Sequence, residues 1–138
     1  MPDAQADKDA IRELLARYCF HLDGGELEEM AALFVEDGVW DTAFGEGRGR
    51  EGLKARVRAI RALATGPQPR RAHLTTNIVI DLDGDRATAR SNWTVIENHA
   101  DGPRLSSGGE YRDRLVKRDG RWLFEYRKID RFVAAGLF

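Results

Sequence analysis

The apolar pattern of the chain changes period once, and that change limits what it can fold into. Up to about Ala64 apolar residues recur at helical spacing; from Arg71 onward they recur at every second residue. The second half is punctuated by Asp83-Gly84, Asp101-Gly102 and Asp119-Gly120, dipeptides that accept the positive φ angles of tight hairpin turns. An antiparallel meander follows, with strands predicted from about Ala72 to Leu82, Arg86 to Asn98, Ser106 to Lys117 and Arg121 to Phe132. Helices first and long strands after make an α+β architecture, in which the helices pack on one face of a twisted sheet.

In the first half, Ile11, Leu14, Leu15, Tyr18, Cys19 and Leu22 fall on one helical stripe, with Asp7 read as the N-cap and Gly24-Gly25 as the stop. Asp23 then sits at a helix-to-turn junction. Leu27, Met30, Leu33 and Phe34 predict a short second helix from Glu26 to Phe34, followed by a strand from Val39 to about Phe44. Gly45, Gly47 and Gly49 mark a turn or frayed hairpin, and Leu53, Val57, Ile60 and Ala64 lay out a third helix. In the last strand, alternation puts Trp122, Phe124 and Tyr126 on one face and Leu123, Glu125, Arg127 and Ile129 on the other. One sheet face is expected to line the interior and the other a subunit interface, giving a homodimer or homotrimer.

A chain of 138 residues buries about two thirds of its unfolded surface, enough for a single domain over residues 1–138. The net charge of -1 and pI of about 6.3 offer no electrostatic drive toward nucleic acid or anionic membrane, which points to a small, hydrophobic organic partner. The single cysteine, Cys19, excludes an internal disulfide, and no Cys/His cluster has metal-ligand spacing. With no signal-peptide pattern or apolar run of about 20 residues, a cytoplasmic setting is the expectation.

Four patterns in order carry a resemblance: Tyr18-Cys19-Phe20-His21-Leu22-Asp23; Leu33-Phe34-Val35-Glu36-Asp37-Gly38-Val39-Trp40; His73-Leu74-Thr75-Thr76-Asn77; and Gly109-Glu110-Tyr111-Arg112-Asp113 with Asp119-Gly120-Arg121-Trp122. Together they resemble the SnoaL-like branch of the nuclear transport factor 2-like superfamily, and within it the hexachlorocyclohexane dehydrochlorinase, scytalone dehydratase and bile-acid dehydratase group. The resemblance implies a cone-shaped, curved, mixed or antiparallel sheet wrapped around three N-terminal helices and enclosing a pocket. It also implies no cofactor, no metal, and catalysis by a histidine paired with an aspartate. The matching positions are Asp23, His73, Arg127 and, five residues before Asp23, Tyr18. Because the superfamily also hosts cyclases, hydrolases and non-catalytic assembly modules, the fold alone does not assign a reaction.

An imidazole near neutral pH exchanges protons with carbon or oxygen acids, and a carboxylate on one ring nitrogen leaves the other as acceptor. That is the role expected of His73 held by Asp23. Their sequence separation of 50 residues gives no sign from spacing that they meet; the alternative is a strand histidine bonded to a carbonyl and an aspartate that only caps its turn. Arg127 is a candidate to stabilise a developing anion, or to pair with Glu125. Asn77, four residues from His73, is expected on the same strand face as a substrate ligand, or as a buried structural amide. Tyr18 is a core ring whose hydroxyl needs a partner, and Trp40, Phe44, Trp93 and Tyr111 are candidate pocket walls. Glu97 shares a face with Ser91, Trp93 and Val95 and is the one further carboxylate near the expected rim. His21 and His99 carry no assignment, and Glu110, Arg112, Arg114 and Lys117 are read as a solvated face with cross-strand pairs.

Overall fold

A computed structural model of the chain describes residues 3–134. Helix α1 (Ala4–Gly24) begins at Asp3, whose carboxylate accepts the backbone N–H groups of Gln5 and Ala6 at 3.0 and 3.1 Å, donors that a first helical turn leaves unpaired. The cap is therefore Asp3, not Asp7. Asp7 turns inward, where its Oδ1 accepts from Trp122 Nε1 at 3.0 Å and Lys117 Nζ at 3.1 Å. The helix closes on Gly25 at φ 72, the left-handed conformation that glycine adopts at little cost.

Helix α2 (Leu27–Ala31) is shorter than predicted, and strand β1 (Phe34–Thr42) starts earlier. Phe34 fits a helical stripe, but tertiary packing overrides that pattern. Its backbone pairs in parallel with the last strand opposite Phe124, and the two rings lie 4.9 Å apart. Strand β2 (Gly45–Arg48) folds back on β1, and helix α3 (Gly49–Arg61) lies across the hairpin. The approach is so close that a Cβ on Gly47 would stand 2.7 Å from Leu53 Cα.

The predicted meander is present as β3 (Arg70–Asp83), β4 (Arg86–His99), β5 (Gly102–Arg118) and β6 (Arg121–Ala134). The six strands form one curved, unclosed mixed sheet in the order β2-β1-β6-β5-β4-β3, with only β1 and β6 parallel. Helices fill its concave side. Ile11, Leu15 and Tyr18 from α1, Met30 from α2, Leu53 from α3, and Tyr111, Leu115 and Phe124 from the sheet are essentially inaccessible. Burying each aliphatic or phenylalanine side chain contributes about 1.5–3 kcal/mol. Among the described residues no helix is long and apolar enough to cross a membrane.

Two β-bulges correct the expected alternation. In β6 the register slips between Leu115↔Phe124 and Arg114↔Tyr126, so Glu125 is the extra residue and the phase reverses. Arg127 therefore joins Trp122 and Phe124 on the inner face, while Tyr126 turns outward to donate its hydroxyl to Asp41 under the Arg114 guanidinium. In β3 the register slips between Thr76 and Val79, and Asn77 has φ 56. Residues 73 and 75 face inward before the slip, residues 78 and 80 after it, and Asn77 is exposed on neither side of a regular ladder. Its expected place beside His73 is corrected on that ground.

Candidate active site

The C-terminal turn of α1 leans on edge strand β3, and that contact brings Asp23 to His73. Asp23 Oδ1 lies 2.5 Å from His73 Nδ1, and Oδ2 accepts the His73 backbone N–H at 2.7 Å. One carboxylate thus grips both the ring and the main chain of the same residue. With Nδ1–H donated to Asp23, Nε2 is the acceptor, and an imidazolium formed there is stabilised by the adjacent charge. The side chains are only 13% and 16% exposed, so water screens this interaction weakly.

A cavity of about 430 Å³ lies between the sheet, α1 and α3, with both residues in its wall. That size suits a drug-sized organic molecule. Trp40, Phe44, Trp93, Tyr111 and Tyr18 supply aromatic wall, and Leu22, Val57 and Ile60 supply aliphatic wall. Trp93 is fixed by Nε1 donating to Asp130 O at 3.0 Å, and its ring lies 6.3 Å from that of His73. The hydroxyl of Tyr18 accepts from Trp40 Nε1 at 2.8 Å, which leaves its own proton available to an acceptor in the cavity. A second hollow of about 500 Å³, between α1 and β3, touches the opposite side of Asp23 and His73. Besides His73 its lining holds a single aromatic ring, that of Phe20, and Cys19 there bonds Thr75 at 3.3 Å.

Arg127 does not line the cavity. It is wholly buried, with Nε and Nη2 donating to the two oxygens of Asp113 at 2.8 and 3.1 Å. Its guanidinium carbon lies 3.6, 4.2 and 4.6 Å from the ring centroids of Tyr111, Tyr18 and Phe124. Direct contact with a departing anion is therefore replaced by a position behind the two phenols, and the expected partner Glu125 bonds Arg86 instead. Burial pushes the Tyr18 hydroxyl up to about 12 against the pull of Arg127, and pushes Tyr111 well above its usual value. Both phenols hold their protons at neutral pH.

The mouth is polar. Glu97 Oε1 bonds His99 Nε2 and Oε2 bonds Arg71 Nη2, each at 3.1 Å; Arg61 and Arg131 complete the rim. Arg61, Arg71 and Arg131 in the cavity lining, and Asp113 behind it, are not among the candidate site residues read from the sequence. Alternation along the last strand puts Arg131 on the face of Arg127 and Ile129, and the cavity wall holds Ile129 and Arg131 together. Among the described residues no group of three or more His, Cys, Asp and Glu side chains is arranged to hold a metal ion.

Solved structures share this architecture. A Mycobacterium tuberculosis protein of unknown function, Rv3472, solved as an aspartate-to-asparagine variant, is 34% identical over 93% of this chain and 73% of that one, with a TM-score of 0.82. A Novosphingobium aromaticivorans protein, assigned as the beta subunit of an aromatic-ring-hydroxylating dioxygenase, is 25% identical over 96% and 93% of the two chains, with a TM-score of 0.80. A Catenulispora acidiphila protein, solved in complex with S-DNPA, is 28% identical over 92% and 94%, with a TM-score of 0.78. No curated protein matches the chain. The SnoaL-like domain profile matches residues 3–128, nearly the whole of the fold just described, and the chain belongs to that family within the nuclear transport factor 2-like superfamily.

Proposed function

We propose that the protein is a cofactor-independent lyase or isomerase acting on a small, lipophilic, cyclic molecule. The observation that carries this reading is the 2.5 Å contact between His73 Nδ1 and Asp23 Oδ1 in the wall of an aromatic cavity. His73 Nε2 takes a proton from a carbon next to a carbonyl, and Asp23 stabilises the resulting imidazolium. Tyr18, whose oxygen is engaged by Trp40, donates to the oxygen on which charge accumulates. Return of the proton to another carbon gives an isomer; delivery to a departing hydroxyl gives an alkene and water. Arg127 and Asp113 act as positioning residues that hold Tyr18 and Tyr111 from behind. The roles of Trp40, Phe44 and Trp93 are to flank the ring of the substrate.

General acid–base help of this kind is worth about 10²- to 10⁴-fold in rate. The test follows the enone absorbance formed from a panel of cyclic β-hydroxy ketones by wild type and His73→Gln. The variant is expected to lose turnover by about that factor at an unchanged melting temperature. Undiminished turnover would remove the mechanism.

A second reading, a non-catalytic assembly module, is favoured by the likeness to the dioxygenase beta subunit. It predicts no turnover on any member of the panel and stable association with a larger catalytic subunit. A carboxylate-driven hydrolase or cyclase is less well supported, because both oxygens of Glu97 are already engaged. We also read the outer face of the sheet as an interface between copies of the chain.

A further inference from the structure

Among the phenols and indoles of the cavity wall, Trp40, Tyr18 and Trp93 are tied down within the protein: Trp40 Nε1 donates to the Tyr18 oxygen, and Trp93 Nε1 to Asp130 O. Tyr111 is not. The residue is only 1% exposed, yet its hydroxyl has no hydrogen-bond partner among the described residues. Its oxygen is not sealed from water, as the unpartnered Ser91 Oγ on the adjacent strand is, and the cavity is where it opens. A phenol held out of water without a partner is unfavourable, and in an otherwise well-bonded wall it marks a place where a ligand completes the bonding.

Position gives that free hydroxyl a use. Strand order sets Tyr111 on β5 across Trp93 on β4 from His73 on β3. The Trp93 ring is 6.0 Å from Tyr111, which it stacks upon, and 6.3 Å from His73. A substrate ring lying on the indole therefore has the base at one edge and Tyr111 at the other. Tyr18 meets Tyr111 edge to face at 5.8 Å, and the Arg127 guanidinium carbon lies 4.2 and 3.6 Å from the two ring centroids. A fixed cation behind both rings favours negative charge arriving in front of them, and a buried site screens it weakly. Burial and the neighbouring Tyr18 raise the Tyr111 hydroxyl while Arg127 opposes them, so the group keeps a proton to share.

We infer that Tyr111 is a further catalytic residue, whose hydroxyl donates to the same substrate oxygen as Tyr18, so that two phenols form an oxyanion site across Trp93 from His73. This inference rests on the proton-transfer reading of the 430 Å³ cavity. It adds to that reading a requirement on the substrate: a ring ketone whose oxygen faces the phenols. No proton has to leave Tyr111. Charge grows on the substrate oxygen as His73 takes the proton from carbon, both hydrogen bonds strengthen, and the charge is discharged when carbon is reprotonated or the leaving group departs.

The test is Tyr111→Phe, which deletes an oxygen that bonds nothing in the protein and keeps the ring against Arg127. Its melting temperature should match or exceed that of wild type, since no partner is stranded. Two probes alike but for one carbonyl oxygen, 1-indanone and indane, are titrated into the full chain by calorimetry. The variant is expected to bind 1-indanone about fivefold more weakly than wild type, the worth of one hydrogen bond, and to bind indane equally well. On the cyclic β-hydroxy ketones its kcat should fall about 10²-fold, a larger effect than on ground-state affinity. Unchanged 1-indanone binding and kcat would overturn the role of Tyr111 and leave the His73 reading standing. Equal losses for 1-indanone and indane would overturn it as well, because the hydroxyl would then serve packing alone. A wild type that turns over no ketone, while the variant still loses 1-indanone affinity, would overturn the proton-transfer reading and uphold the carbonyl site. Binding of neither probe by wild type would overturn both.

Discussion

Arg127 is a wholly buried charge held between three aromatic rings, and Asp113 is the anion bonded to it. Burial pushes the Asp113 carboxyl up while the guanidinium pulls it back, and the paired bonds of 2.8 and 3.1 Å are those of an ion pair. Removing one member of such a pair leaves the other uncompensated, at a cost of about 3–5 kcal/mol, whereas replacing both with apolar groups of similar volume is often near neutral. Arg127→Met is therefore expected to lose about that much in urea unfolding, and Arg127→Met/Asp113→Leu to regain most of it. A double variant no more stable than the single would show that the rings of Tyr18 and Tyr111 need the cation itself. The pairing was not legible in the sequence, because Asp113 faces Arg127 only after the bulge at Glu125. The contact of Asp23 with His73 was equally hidden from spacing: the family resemblance suggested it, and the leaning of α1 on β3 produces it.

At the level of elements, the strongest local signals were the ones that proved most readable. Asp119 at φ 52 and Gly120 at φ 76 form the hairpin turn that their chemistry favours. The stripe of α1 was equally plain, but its cap was assigned to Asp7 when Asp3 does that work, since either acid precedes an amphipathic run. What Asp7 does instead is tie α1 to the ends of β5 and β6 through Lys117 and Trp122. The Trp122 and Lys117 hydrogen bonds lower its pKa below the ordinary 3.8. A lowered carboxylate contributes stability that is fully present above the unfolded value and fades as pH falls through the folded one. Asp7→Asn should thus unfold at lower urea than wild type at pH 7, and the gap should close as the pH is taken below 3.8. A gap independent of pH would assign the effect to packing and not to charge. The bulge at Asn77 belongs to this scale too: it breaks the regular ladder of edge strand β3, a device that discourages pairing with another chain.

For the whole molecule, the change of period foretold helices on a sheet but not how the sheet ends. Parallel pairing of β1 with β6 joins the first strand to the last, a contact across most of the chain that no local pattern encodes. The concave face is used up by helices and cavity; the convex face is not. There Leu74 pairs with Thr94, Thr94 with Gly108 and Gly108 with Val133, while Ala72 pairs with Ile96 and Ile96 with Leu105. Leu74, Ile96, Leu105 and Val133 are all exposed, which makes the two rows an apolar patch on the outer face of the sheet. Beside it Arg90 and Arg112 converge on Glu110, so charges of both signs flank the patch, as suits a surface that meets its own copy about a symmetry axis. Sedimentation equilibrium at micromolar concentration is expected to give a dimer or trimer, and Leu74→Glu to shift it to monomer with an unchanged far-ultraviolet circular dichroism spectrum. The substitution sets a carboxylate against its own symmetry mate or against Leu105 and Val133 of another copy, and either arrangement costs more than a rim contact returns. Because His73 neighbours Leu74 but faces the other way, the monomeric variant should retain the His73–Asp23 contact. A wild-type chain that sediments as a monomer would leave the patch unexplained by self-association.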